Sequence, residues 1–390
     1  MRRINPVVYI ALSGFVITTS IQVINPILSI YLVKELNATP SEVGVVFSVF
    51  SLASLVFRVL LVFIIPSVSL SYLLLAGLIV NSIAILGYSI VPSVDSLILF
   101  RAMHGFALSL DNTAMLTLAG LSTSRDQEMT TTVAKYAAAL ALGLMVGPAV
   151  ATLSVTFYGV SDTLFVAFLT SVPAILFTVL FIRATKGIWI GHVTRKISWI
   201  DFKRLVSRLG LQIAAITFFL FSFVYSVFIA YAPLVAGPKY GMPDNVVTAL
   251  FFGYFLLTFS LRMVLPRLLE RISMQKLLLI SLLIVSLALA IMGISFNPVL
   301  FSVGFEMMGV GHGFIFPLTA ALVARSIPPQ RRINGNAIYL AAWDVGALIG
   351  PLVAAYLSLH IETQLILLAI TPAPLIALML IRQIPRTGIE

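Results

Sequence analysis

The chain has 390 residues, 60% of them hydrophobic and 10% charged, against about a quarter charged in an ordinary soluble domain, so water is excluded as the solvent for most of its surface. The formal net charge of +10 is spread over short segments between apolar runs, which argues against nucleic acid as a partner. No cysteine occurs, which excludes disulfides, thiolate nucleophiles and thiolate metal sites.

From the N-terminus, Met1-Arg2-Arg3 precedes an apolar run that starts at Pro6 and continues to Val33 without a small-residue cleavage site, so it reads as an uncleaved first span. Breaks at charged, Pro and Gly clusters predict membrane-crossing helices over 6–33, 42–64, 67–90, 96–121, 129–156, 162–182, 209–235, 244–265, 275–294, 298–325, 334–357 and 362–382. Lipid-facing strands would alternate polar and apolar residues, and these stretches do not. The predicted fold is an all-α membrane protein of 12 transmembrane helices in two pseudo-symmetric six-helix bundles. One side collects Arg2, Arg3, Arg58, Arg125, Lys135, the cluster Arg183 to Arg208, Arg262 to Lys276, Arg325 to Arg332, Arg382 and Arg386. The other holds Lys34, Arg101 and Lys239 with Glu35, Glu42, Asp95, Asp162, Asp244 and Glu362. The positive-inside rule predicts a multi-pass protein of the cytoplasmic (inner) membrane with both termini cytoplasmic.

The long segment 183–208 mixes Arg183, Lys186, Arg195, Lys196, Lys203, Arg204 and Arg208 with Ile188, Trp189, Trp199, Ile200 and Phe202. This suits a helix on an anionic inner leaflet, or a solvated linker between an N-terminal bundle, 1–182, and a C-terminal bundle, 209–390. An internal repeat supports the division: Arg58 through Leu75 aligns without gaps onto Arg262 through Leu279, Gly143-x-x-x-Gly147-Pro148 matches Gly346-x-x-x-Gly350-Pro351, and Pro26 pairs with Pro233. The halves are same-direction copies.

Three motifs carry a family resemblance. Arg262-x-x-x-Pro266-Arg267-x-x-Glu270-Arg271-x-Ser273-x-x-Lys276 is similar to the cytoplasmic signature of the major facilitator superfamily, with Pro266 and Ser273 in place of glycines and Glu270 in place of the usual Asp. The first-half loop from Val62 to Tyr72 has lost those charges, with Pro66 where the acid would sit. Arg101-Ala-Met-His104-Gly105 resembles the Arg-x-x-x-Gly motif whose arginine is implicated in proton transfer in some members. Gly143-x-x-x-Gly147-Pro148 resembles, in shortened form, the motif associated with antiporters. The resemblance covers essentially the full length and points to the 12-helix, drug/proton-antiporter-like subgroup. It implies alternating access with solute bound near midplane between the bundles, and a conformational latch of Arg262, Glu270, Arg271 and Lys276. The glycine-proline copy at Gly346, Gly350 and Pro351 favours close helix packing for both motifs.

Ionisable groups inside the spans are the candidate coupling and cavity residues. Arg101, His104, Leu108 and Asp111 fall on one stripe of the fourth span, facing either a wet cavity or each other; alternatively Arg101 snorkels outward and Asp111 bonds to a neighbouring helix. Asp344 sits at midplane depth in the eleventh span, as a coupling group or a satisfied structural acid. Glu306, nearer the outer end, and His312 flank Gly309, Gly311 and Gly313, whose spacing resembles a dinucleotide loop but lies inside an apolar helix. In the seventh span Phe218, Phe219, Tyr225, Phe228 and Tyr231 offer aromatic surface.

The expected function is a secondary active transporter moving a small, lipophilic or weakly polar solute by proton-coupled efflux, its partners being substrate, protons and membrane lipids, with no cofactor. A nutrient or metabolite symporter and a non-transporting receptor of the same fold are the alternatives; a sugar site would want more amides than Gln22, Asn25, Asn112, Gln212, Asn334 and Asn336 supply. Enzyme chemistry is not expected, because His104, His192, His312 and His360 show no metal-ligand spacing and neither His-Glu-x-x-His nor Gly-x-Ser-x-Gly appears.

Overall fold

The computed structural model describes residues 6–64, 69–121, 126–185, 199–328 and 331–381. Arg2, Arg3, Arg125, Lys186, Arg195, Lys196, Arg382 and Arg386 lie outside them, as do the side chains of Asn112, Lys135 and Arg332. The elements are α1 (Pro6–Lys34), α2 (Pro40–Ile64), α3 (Leu70–Ile90), α4 (Val94–Leu121), α5 (Asp126–Ala184), α6 (Trp199–Val206), α7 (Leu209–Tyr240), α8 (Asp244–Leu269), α9 (Met274–Ile294), α10 (Pro298–Ser326), α11 (Arg332–Leu357), α12 (Thr363–Ala369) and α13 (Pro372–Ile381). No strand occurs among the described residues. Helices are the expected solution in lipid, because each satisfies its backbone internally.

Ten helices among the described residues are long and apolar enough to cross a membrane. One of them, the last span, is α12 and α13 together, interrupted before Pro372, whose ring cannot continue the ladder. The 59-residue α5 carries one non-helical residue, Gly159, at φ 82 and ψ 179. That backbone is closed to side chains, so the break separates the two spans predicted at 129–156 and 162–182. With α4, 28 residues long, this accounts for the twelve predicted crossings.

The seventh span runs to Tyr240, past the predicted end at 235, and keeps Pro233 and Pro238 within it. It stops where Gly241 turns left-handed at φ 63 and its N–H donates to Gly237 O at 2.8 Å, the left-handed cap that favours glycine. Gly241→Ala is expected to cost about 1 kcal/mol, read as a small fall in melting temperature. Elsewhere, Thr39 and Glu42 cap each other at the start of α2, Thr39 N–H donating to Glu42 Oε2 at 2.7 Å and Glu42 N–H to Thr39 Oγ1 at 3.3 Å.

The chain forms two compact units, Met1–Asn37 with Leu52–Arg195 and Ala38–Ser51 with Lys196–Glu390. In the first, α1 packs on both halves of α5. Gly143 and Gly147 present bare backbone to Phe15 O, Thr18, Thr19 O and Gln22, and Ser13 and Ser20 donate to Ala174 O at 2.9 Å and Ala167 O at 2.6 Å. Small residues of this kind let apolar helices approach and bind without a hydrophobic driving force. The second unit repeats the seam between α11 and α7: Gly346 and Gly350 lie against Phe219 O, Ser222, Phe223 O and Ser226. The ends of α7, α9 and α12 are tied by Gln364, whose Nε2 donates to Met292 O at 2.8 Å and Ser295 O at 2.8 Å, while Lys239 donates to its Oε1.

Candidate functional site

In the first unit the polar groups form a line between α3 and α4. Arg101, His104 and Asp111 are 3%, 1% and 1% exposed, so Arg101 does not snorkel; its guanidinium donates to Tyr88 Oη at 3.4 Å and lies 5.9 Å from the centre of that ring. Tyr88 Oη also bonds His104 Nδ1 at 2.9 Å. About two turns on, Asn81 Nδ2 donates to Asp111 Oδ2 at 2.9 Å. Asp111 Oδ1 has no hydrogen-bond partner among the described residues; it lies over Gly77, where a Cβ would collide with it. The carboxylate is ten residues, about 15 Å, from the C-terminal end of α4. The predicted stripe therefore faces α3 rather than forming a group of its own, and Asn81 and Tyr88 are the partners sequence reasoning missed. A lone amide in an apolar helix was the available signal for Asn81.

In the second unit an aromatic cluster surrounds His312. Its Nδ1 bonds Tyr254 Oη at 2.7 Å, and the rings of Tyr225 and Phe255 stand edge-on to it at 5.1 and 5.7 Å. Phe218 stacks on Tyr339 at 4.3 Å and meets Trp343 at 4.7 Å and Phe316 at 5.7 Å. Tyr225 reaches Trp343 at 5.3 Å. Of the other aromatics proposed in α7, Phe228 and Tyr231 are fully buried, Phe228 packing edge-on to Phe305 at 4.6 Å and Tyr231 donating to Pro40 O at 2.8 Å. Glu306 is half-buried, its carboxylate packed over bare Gly253 of α8. Asp344 is 5% exposed, midway along α11.

Among the described residues the members of the expected latch, Arg262, Glu270, Arg271 and Lys276, lie in different surroundings. Arg262 turns away from the loop into the unit, donating to His312 O at 3.2 Å with its guanidinium 5.6 Å from the Phe316 ring centre. It does so because it lies seven residues before the end of α8, about 10 Å inside, where burying its stem among rings is easier than reaching the loop. Glu270, Arg271 and Lys276 are exposed at the turn between α8 and α9; Glu270 makes no side-chain ion pair among the described residues, as expected of a carboxylate that water already solvates. A groove of about 320 Å³ between α1 and α5 is lined by apolar Val7, Val8, Ala11, Leu12, Phe15, Ala139 and Leu142. It holds none of this chemistry.

Ionisable groups held this deep in apolar helices define a polytopic membrane protein and mark candidate functional positions within it. The Major Facilitator Superfamily profile matches residues 10–305 and 215–389. Multidrug efflux protein YfmO of Bacillus subtilis (strain 168) is 25% identical over 350 residues, covering 87% of this chain and 83% of that protein. Among solved structures, a mutant of the nucleoside transporter NupG superposes with a TM-score of 0.80 at 15% identity, covering 97% of this chain and 99% of that one. The peptide transporter POT does so with 0.79 at 11% identity, covering 98% and 94%. A bacterial homologue of the human lysosomal transporter Spinster gives 0.76 at 11% identity, covering 96% and 95%. The chain belongs to the major facilitator superfamily, and it is a transporter of small molecules, not an enzyme.

Proposed function

We propose that the protein is a proton-coupled exporter of lipophilic or weakly polar compounds working by alternating access, with residues 1–182 and 209–390 as its bundles and 183–208 as the linker. The observation that carries this reading is Asp111: a fully buried carboxylate at mid-membrane depth, one oxygen of which has no hydrogen-bond partner among the described residues. Such a group is costly to keep in lipid as a purely structural element, and a proton is the smallest ligand that completes it. The efflux activity named for the Bacillus subtilis relative supports the direction. The test is a compound panel in proteoliposomes with imposed pH gradients. Accumulation of panel members only when protons run opposite to the compound supports export, accumulation with protons running alongside it means nutrient-type symport, and no movement of any compound sinks transport by this route.

The same reading places the protein in the cytoplasmic membrane with both termini and residues 183–208 inside. Epitope tags at the three positions are expected to stay inaccessible to antibody in intact cells and to become accessible on permeabilisation. External labelling of any one overturns the orientation.

A further inference from the structure

Arg262 is a cation on a membrane-crossing helix with no ion-pair partner among the described residues. Its guanidinium makes no ion pair among the described residues, its only hydrogen bond there is to the neutral His312 carbonyl, and its Nε is buried without a partner. Its other near neighbours are the Phe316 ring and the hydroxyls of Tyr225, Tyr254 and Tyr339. None of these is anionic in its ordinary state. An uncompensated charge at this depth costs several kcal/mol and persists in natural proteins where function uses it.

What surrounds the guanidinium narrows the chemistry of the missing partner. The side chain is only half-buried, as are Tyr225 and Trp343, and Phe316 is 37% exposed, so part of the charged side chain and of the three rings stays accessible. These rings belong to one cluster, joined through Phe218 and Tyr339. A planar guanidinium pairs with a carboxylate through two parallel hydrogen bonds, and with Nε enclosed the edge left for this is the Nη1–Nη2 end. Aromatic faces nearby favour a flat, apolar body, through offset or edge-on ring contacts.

The geometry points to an organic-anion subsite in the second unit: Arg262 takes the carboxylate of an aromatic acid whose ring lies against Trp343, Tyr225 and Phe316. This deepens the proposed transport reading, on which it rests, by giving the weakly polar cargo one negative charge. No element of the subsite belongs to the first unit, so binding there is independent of Asp111.

The test is equilibrium binding to the purified full-length protein in detergent, without any gradient, using radiolabelled 2-naphthoate and its neutral isostere 2-naphthamide. Wild type is expected to bind the acid at least about tenfold more tightly than the amide, the scale of one or two charge-assisted bonds. Arg262→Gln removes that preference while leaving the amide's affinity within about twofold, and Arg262→Lys keeps part of it. Trp343→Leu weakens both ligands, and acetate competes only weakly. The subsite is overturned if wild type does not prefer the acid, if Arg262→Gln keeps the preference, or if acetate displaces naphthoate as well as benzoate does. Should Arg262→Gln not fold, the wild-type preference and the Trp343→Leu loss decide. Binding with no pumping of any compound removes the transport reading alone; pumping of neutral compounds with no preference for the acid removes the subsite alone.

Discussion

In proteoliposomes under an imposed pH gradient, Asp111→Asn is expected to lose proton-driven accumulation, falling to the level of protein-free vesicles, while downhill exchange of the same solute survives. Asparagine matches the carboxylate in shape. Its side-chain oxygen still accepts from Asn81, the bond now made at 2.9 Å, and its NH2 occupies the position of the unbonded Oδ1 over Gly77. The exchange removes one charge-assisted bond in favour of a neutral one, a change of about 1 kcal/mol or less in the fold. What it removes completely is the ability to take and release a proton, so a role in coupling and a role in packing separate. Gly77 is the reason the site admits a carboxylate at all, since even a methyl group there would meet Oδ1. Normal accumulation by Asp111→Asn at matched protein levels would end the coupling role for this residue and pass it to Asp344, buried midway along α11.

The spans were legible because lipid imposes one pattern on every crossing, and the twelve apolar runs give it directly. Even the division of α5 shows in the Tyr158-Gly159-Val160 break, since only glycine accepts the backbone found there. The site was legible in depth but not in direction. Counting residues places Asp111 and Asp344 near mid-helix, yet nothing in α4 alone says that Asp111 meets Asn81 of α3, because that contact depends on how two helices rotate about their axes. Arg262 shows the limit most clearly. It stands first in a run of basic residues, which assigns it to the charged end of the span predicted over 244–265, but the helix continues to Leu269. Its side chain then follows the aromatic faces of α10 and α7, a preference written in Phe316 and Tyr225 and invisible from within α8. Glu306 is similar: its seat over Gly253 depends on a glycine in another helix.

The second large effect is expected at the paired glycine seams, where Gly147→Ala and Gly350→Ala should each destabilise the protein by about 1–3 kcal/mol. The sign is what makes the prediction sharp, because in an open helical position the same change stabilises by about 0.5–1 kcal/mol. At Gly147 the new methyl would run into Gln22 Cβ and stand 2.6 Å from Thr19 O; at Gly350 it would run into Phe223 O and stand 2.7 Å from Ser226 Oγ. Most of these obstacles are backbone or Cβ atoms, which move only if a whole helix moves, so α1 must retreat from α5, or α7 from α11. Gly237 provides the contrast within α7: a methyl there meets only Met242 O, at 4.0 Å, and Gly237→Ala should hold or raise the melting temperature. Because the two seams share no side chain, the double variant should lose the sum of the single losses to within about 0.5 kcal/mol. Thermal melting in detergent, followed by size-exclusion of the soluble fraction, reads all four variants. A wild-type melting temperature for Gly147→Ala, or an equal loss for Gly237→Ala, would mean that close backbone approach at these glycines does not hold the helices together.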